Sequence, residues 1–182
     1  MPTPPDFTNG TPLDASSLNQ VGLWKVASGT LSLTTTPTNV TGVFGSDYKN
    51  YRLMINVTSR TVNPSRFDMK YIVGTTPNSA NYYQSGIGSD YASNTALYYQ
   101  RSNNDPQFYF EGSGFSATYI FDIFNPNRPA QTSHQGSVTV GQQPYSYFLG
   151  GFNGATSQFT GFQLFTSTGV INAEYIVYGY RN

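Results

Sequence analysis

The stretch FTGFQLFTSTGVINAEYIVYGYRN, from Phe159 to Asn182, decides the fold class. Phe162, Leu164 and Thr166 alternate with Gln163 and Phe165. Ser167-Thr168-Gly169 interrupts the run, and Ala173, Tyr175 and Val177 then alternate with Glu174, Ile176 and Tyr178. A period of two in aromatic and β-branched residues predicts strands, and the Ser-Thr-Gly turn predicts that these two pair with each other. The second is apolar on nearly both faces. It is expected to lie with one face on the core and the other against a partner.

Working back from this ending, the same alternation recurs. Tyr51, Leu53, Ile55 and Val57 form a clean inward face between Tyr48 and Ser59, and Phe67, Met69, Tyr71 and Val73 form another, with Asp68 and Lys70 outward. Phe115, Ala117, Tyr119, Phe121 and Ile123 form a third, and Ile120 and Phe124 on its opposite side predict a strand covered on both faces. Leu23–Val26 opens a strand that Gly29–Leu33 follows, and shorter strands are expected at Val40–Phe44, Gln107–Glu111, Gln135–Val140 and Tyr145–Phe152, with Gly150-Gly151 marking a bulge or bend. Residues 75–105 read as a long loop with one or two short strands. The total is about eight to ten strands, which predicts an all-β, antiparallel two-sheet sandwich of jelly-roll type over residues 23–182.

Residues 1–22 read differently. Met1 to Gly10 is Pro-rich and aperiodic, an extended arm. Thr11 can cap a helix with Pro12 at its first position and Asp14 in its first turn, and Gly22 supplies a stop. So short a helix needs a docking surface. Phe7, Leu13, Leu18 and Val21 are the anchoring candidates of this arm.

Composition excludes several classes. Nine Lys and Arg balance nine Asp and Glu, and only 10% of residues are charged, so the electrostatic drive for nucleic-acid or anionic-membrane binding is missing. No cysteine is present for a disulfide or thiolate metal site. No apolar run approaches the roughly 20 residues of a membrane span, and Met1-Pro2-Thr3-Pro4-Pro5 lacks a basic signal-peptide region. The expected product is soluble and not exported. High Tyr, Phe, Asn, Ser and Thr content suits a rigid surface that works through hydroxyls and amides.

Three stretches carry a resemblance: V-Y-G-Y-R-N (Val177 to Asn182), F-T-N-G-T-P-L-D-A-S-S-L-N (Phe7 to Asn19), and G-S-G-F-S-A-T-Y-I-F-D-I-F-N-P (Gly112 to Pro126) followed by Gly136-Ser137-Val138. The first and third resemble the C-terminal jelly-roll modules of tailed-bacteriophage tail fibres and related virion proteins, including capsid decoration and head-fibre proteins. The second resembles the short helix ending in Leu-Asn that tail-fibre and baseplate-type proteins carry near an N-terminus or domain junction. The resemblance implies a homotrimeric virion part, made in the host cytoplasm and placed on the tail or capsid exterior. Its arm would hold a tail adaptor or capsid protein, and it would meet a host surface glycan or protein. Ile120, Phe124, Ile176 and Tyr178 are the subunit-interface candidates. No coiled coil or extended shaft precedes the sandwich, which favours a short peripheral component.

The search for chemistry returns little. His134 stands alone, without a partner at ligand spacing, and is expected at the surface. The acids are scattered singly; Asp122 and Glu174, on strands, are expected to hydrogen-bond at a core edge or between subunits rather than act as acid and base. Asn103-Asn104-Asp105 lacks the acid ladder of a calcium loop. Neither catalysis nor a metal or other cofactor is expected. The candidate binding surface is a set of outward tyrosines in the loop region, Tyr82, Tyr83, Tyr91, Tyr98 and Tyr99, whose flat rings and hydroxyls suit sugars or protein partners, as in a small lectin-like module; the alternative is that these rings fill the core or the subunit seam.

Overall fold

The computed structural model describes residues 22–62, 66–90, 95–110, 116–141 and 145–180. The arm, its helix and the anchoring residues Phe7, Leu13, Leu18 and Val21 lie outside the described residues. Strand-forming alternation yields β1 (Leu23–Leu33), β2 (Thr38–Val40), β3 (Asn50–Arg60), β4 (Phe67–Val73), β5 (Thr76–Pro77), β6 (Tyr82–Asp90) and β7 (Thr95–Asp105). It continues with β8 (Phe108–Phe110), β9 (Ser116–Phe124), β10 (Thr132–Gly141), β11 (Tyr145–Asn153), β12 (Gly161–Thr166) and β13 (Ile171–Tyr180).

These strands form two antiparallel sheets packed as a β-sandwich. The larger has eight strands in the order β1-β13-β3-β9-β10-β11-β6-β7; the smaller runs β2-β12-β4-β5, with β8 also paired to β4. The chain repeatedly changes sheet: β1, β3, β9 and β13 belong to the larger, and β2, β4, β8 and β12 to the smaller.

The core is where the inner faces meet. Tyr51, Leu53, Ile55 and Val57 of β3 and Ala117, Tyr119, Phe121 and Ile123 of β9 are buried, as the alternation predicts. Opposite them stand Phe67, Met69 and Tyr71 of β4, Phe108 and Phe110 of β8, and Phe162 and Leu164 of β12. Rings cross the interface edge-on or tilted, Phe67 against Tyr119 and Phe110 against Phe121, both at 4.6 Å between centroids. Such pairs add about 0.5–1.5 kcal/mol each beyond the area they bury.

Several expectations are corrected. β12 and β13 do not pair; they lie in opposite sheets, with Phe162 meeting Tyr175 edge-on across the core at 6.1 Å. Alternation fixes which residues face inward, not which strand lies alongside. Much of the stretch expected as a long loop is a hairpin, β6 with β7, extending the larger sheet. Gly150-Gly151 makes no bulge, for β11 keeps unbroken register with both neighbours. The inward series of β4 ends at Tyr71, because Val73 is exposed at the turn where Gly74 takes a φ of 62°. Asp68 faces away from the core yet is buried: Arg66 Nε and Gln107 Nε2 each donate to its carboxylate at 2.9 Å, and the Arg66 guanidinium lies over the Tyr109 ring.

Candidate functional site

The larger sheet has an inner face on the core and an outer face that no described element covers. Its register sets outer residues side by side across the strands. Ile176, Met54 and Ile120 adjoin one another on β13, β3 and β9, and the row continues through Ser137, Phe148 and Ile87 on β10, β11 and β6. Two residues along each strand lies a more polar row: Tyr178, Arg52 and Asp122, then Gln135, Gly150 and Ser85. A further step brings Phe124, Ser133, Phe152 and Tyr83 into line. Phe148 is 69% exposed and Ile87 50%, the most exposed large apolar side chains among the described residues.

The polar row has one strong electrostatic feature. Arg52 donates from Nε to Asp122 Oδ1 and from Nη2 to Oδ2, both at 2.8 Å, and the Tyr180 hydroxyl donates to Oδ1. Partial burial pushes the Asp122 carboxyl up, but the hydrogen bonds from Arg52 and Tyr180 outweigh it, leaving it below the usual carboxylate range. The Tyr180 phenol, half-buried and tied to a carboxylate, is pushed up to about 12. The pair is internally neutralised and offers no net charge.

Between this ion pair and Phe148 with Ile87 runs an open groove of about 750 Å³ whose floor is Gln135, Ser137, Gly150 and Ser85. Its volume lies within the roughly 300–1,000 Å³ common for small-ligand sites. No group of three or more His, Cys, Asp or Glu side chains that could hold a metal ion occurs among the described residues. No described helix is long and apolar enough to cross a membrane.

Ile120, Phe124, Ile176 and Tyr178 are all half-buried on this outer face. Asp122 makes the contacts just described, and Glu174 is exposed on the same face. The tyrosine set divides. Tyr82 is in the core, not on an outward loop; its hydroxyl accepts from Tyr71 N at 2.7 Å and donates to Asn78 O at 3.0 Å. Tyr83, one position on and therefore on the opposite side, stacks on Phe152 at 4.6 Å with an interplanar angle of 11°. Tyr91 lies outside the described residues. Tyr98 and Tyr99 pair by backbone register with Ile87 and Gly86.

His134 is likewise corrected from surface to core. It is buried among Phe108, Phe110 and Phe121, edge-on to Phe108 at 4.2 Å, with neither ring nitrogen hydrogen-bonded, and burial pushes it down to about 3. Sequence reasoning missed Phe148, Ile87, Phe152, Arg52 and Gly150. The signal was available in part, because an inward Tyr147 and Leu149 place Phe148 and Gly150 outward.

No protein-family model matches the chain, and no curated protein matches it. Among solved structures, the chain is similar to the CBM2 module of the evolved Dit of Lactobacillus casei BL23 phage J-1, with 12% identity and a TM-score of 0.31, covering 80% of this chain and 69% of that one. A likeness of that size carries no argument about role.

Proposed function

We propose that the chain is a structural component of a tailed-phage virion, a jelly-roll sandwich that assembles as a homotrimer. It is of the tail-fibre, receptor-binding kind, and residues 1–22 hold it to another virion protein. The resemblance of the three sequence stretches motivates the virion assignment. The observation that carries the trimer is the uncovered outer face: Met54, Ile120, Phe124, Ile176 and Tyr178 sit together on the β13-β3-β9 half of a sheet whose other side already fills the core. Covering such a face with a second copy removes apolar area from water at about 25 cal/mol per Å². The strand order supports the jelly-roll assignment, since β1-β13-β3-β9 opposes β2-β12-β4-β8 as two interleaved four-strand sets. β1 lies at the free edge of the larger sheet, so an arm preceding it can leave without crossing the sandwich.

The test is immunogold labelling of purified particles of the encoding phage. Label on the tail tip is the expected result. Label on the head would convert the assignment to a capsid decoration or head-fibre protein, and particles free of the chain would overturn it. Deleting residues 1–22 is expected to leave a folded body that no longer joins the particle.

A further inference from the structure

Among the described residues nothing requires Gly150 to be glycine. It lies inside β11, paired without register shift to Gln135 on one side and Ser85 on the other. Its φ is not positive, and a Cβ built on it meets nothing nearer than His134 O at 3.9 Å. Its neighbour is the opposite case: a Cβ on Gly151 would fall 2.4 Å from Tyr83 O and 2.9 Å from the His134 ring. Glycine within a strand costs roughly 0.5–1 kcal/mol relative to alanine and otherwise marks a bulge, a bend or close approach by something else. Unbroken register on both sides excludes the bulge, and the open space above the residue leaves room for another group to approach.

The surroundings define what approaches. Gly150, Ser85 and Ser137 make a low floor, with the Gln135 amide exposed beside it. Phe148 with Ile87 stands two residues along the strands on one side, and the stacked Phe152–Tyr83 pair two residues along on the other. The Arg52–Asp122 pair closes one end, with both groups partly exposed. The groove therefore presents apolar ring surface, a planar amide, two hydroxyls and a self-neutralised ion pair. Every floor strand is paired on both sides, so an extended peptide would find no free backbone edge for its own N–H and C=O groups. The apolar face of a second copy laid over the groove would leave the exposed Gln135 amide dehydrated and unpartnered. An anion would meet a guanidinium whose charge Asp122 already neutralises. A neutral pyranose meets each demand: its C–H face lies on an aromatic ring, and its adjacent hydroxyls give and accept hydrogen bonds at amide, hydroxyl and carboxylate.

We propose that the groove over Gly150 is a binding site for a neutral saccharide, with Phe148 the stacking platform and Gln135, Arg52 and Asp122 the polar contacts. This deepens the receptor-binding assignment. The rest of the β13-β3-β9 half remains available for self-association, with Ile120 and the Arg52–Asp122 pair at the border between the two.

The experiment is titration of the full chain with a panel of neutral oligosaccharides (glucose-, galactose-, rhamnose- and N-acetylhexosamine-based), with uronate and sulfated glycans as charged controls. Binding to a neutral member is expected, about tenfold or more weaker in Phe148→Ala and in Gln135→Ala, and lost in Gly150→Leu, which raises a side chain from the floor at a position where a Cβ meets no clash. Thermal melting confirms that each variant folds, and Val73→Ala, on the smaller sheet, is expected to bind as the parent does. No binding to any neutral glycan, binding confined to charged glycans, or binding undiminished in both Gly150→Leu and Phe148→Ala overturns the proposal. So does loss of an oligomer in Gly150→Leu, which would make the occupant a second copy. Particle labelling reads the virion assignment independently, so failure of one does not imply failure of the other.

Discussion

Arg52 on β3 and Asp122 on β9 are direct register partners, and their side chains meet in a two-pronged ion pair with both N–O distances at 2.8 Å. Adjacent strands hold the two Cα atoms at fixed spacing, so the planar fork and the carboxylate need little further ordering. Tyr180, from β13 on the far side of Arg52, completes the cluster. Three strands of the larger sheet are thereby tied together on the face that carries the candidate site.

Because both groups remain partly exposed, solvent screens the pair, and its worth is modest. A double-mutant cycle of Arg52→Ala and Asp122→Ala, read by urea unfolding, is expected to give a coupling of about 1 kcal/mol that shrinks in high salt. A coupling indistinguishable from zero at low salt would contradict the geometry. The signs with pH follow. The depressed Asp122 carboxyl supports stability above its unfolded pKa, and that support is lost as pH falls through the depressed value. Tyr180, pushed up to about 12, contributes stability at pH below the ordinary tyrosine range, lost as pH rises from there toward 12.

His134 gives the chain an acid weakness. In the folded core it stays neutral down to about pH 3, whereas in the unfolded chain it takes a proton near pH 6.5. Between those values the unfolded state binds more protons, so stability falls as pH falls, by up to about 1.4 kcal/mol per pH unit from this group. His134→Leu is expected to reduce the stability difference between pH 7 and pH 4 relative to the parent. An unchanged difference would place the imidazole in contact with water.

The two adjacent glycines of β11 are expected to respond in opposite directions. Gly151→Ala drives a methyl against Tyr83 O and the His134 ring, costing about 1–3 kcal/mol. Gly150→Ala adds a methyl in open space and is expected to stabilise by about 0.4–1 kcal/mol. Paired thermal melts decide it, and equal destabilisation by both would show the Gly150 surroundings to be filled.

Tyr82→Phe removes a hydroxyl that serves as both acceptor and donor, leaving the buried Tyr71 N–H and the Asn78 carbonyl unpaired. A loss of about 1–3 kcal/mol is expected in chemical denaturation. A neutral substitution would contradict a buried Tyr82 hydroxyl bridging these two backbone groups.

Faces were legible in the sequence, and neighbours were not. Tyr51 to Val57 and Ala117 to Ile123 declared their inward sides by parity alone. Nothing in that parity reports that β12 pairs with β2 and β4 rather than with β13, because the pairing partner depends on contacts distant in sequence. Tyr82 and Tyr83 show the same limit at single-residue scale: irregular composition hid a strand, and without its parity the two rings could not be assigned to opposite sides. His134 was opaque for a different reason. Its polar sequence neighbours, Ser133 and Gln135, face away from the core that encloses it. The groove could not be read either, since Gly150 becomes informative only once its surroundings are seen to be empty.

The most direct test of the account is the molar mass of the folded chain at micromolar concentration, by light scattering coupled to size exclusion. Assembly through the β13-β3-β9 half of the outer face predicts a species of three times 20.0 kDa, about 60 kDa, reduced to monomer by Ile176→Glu with β circular dichroism retained. A single well-folded species of 20.0 kDa at that concentration would contradict it.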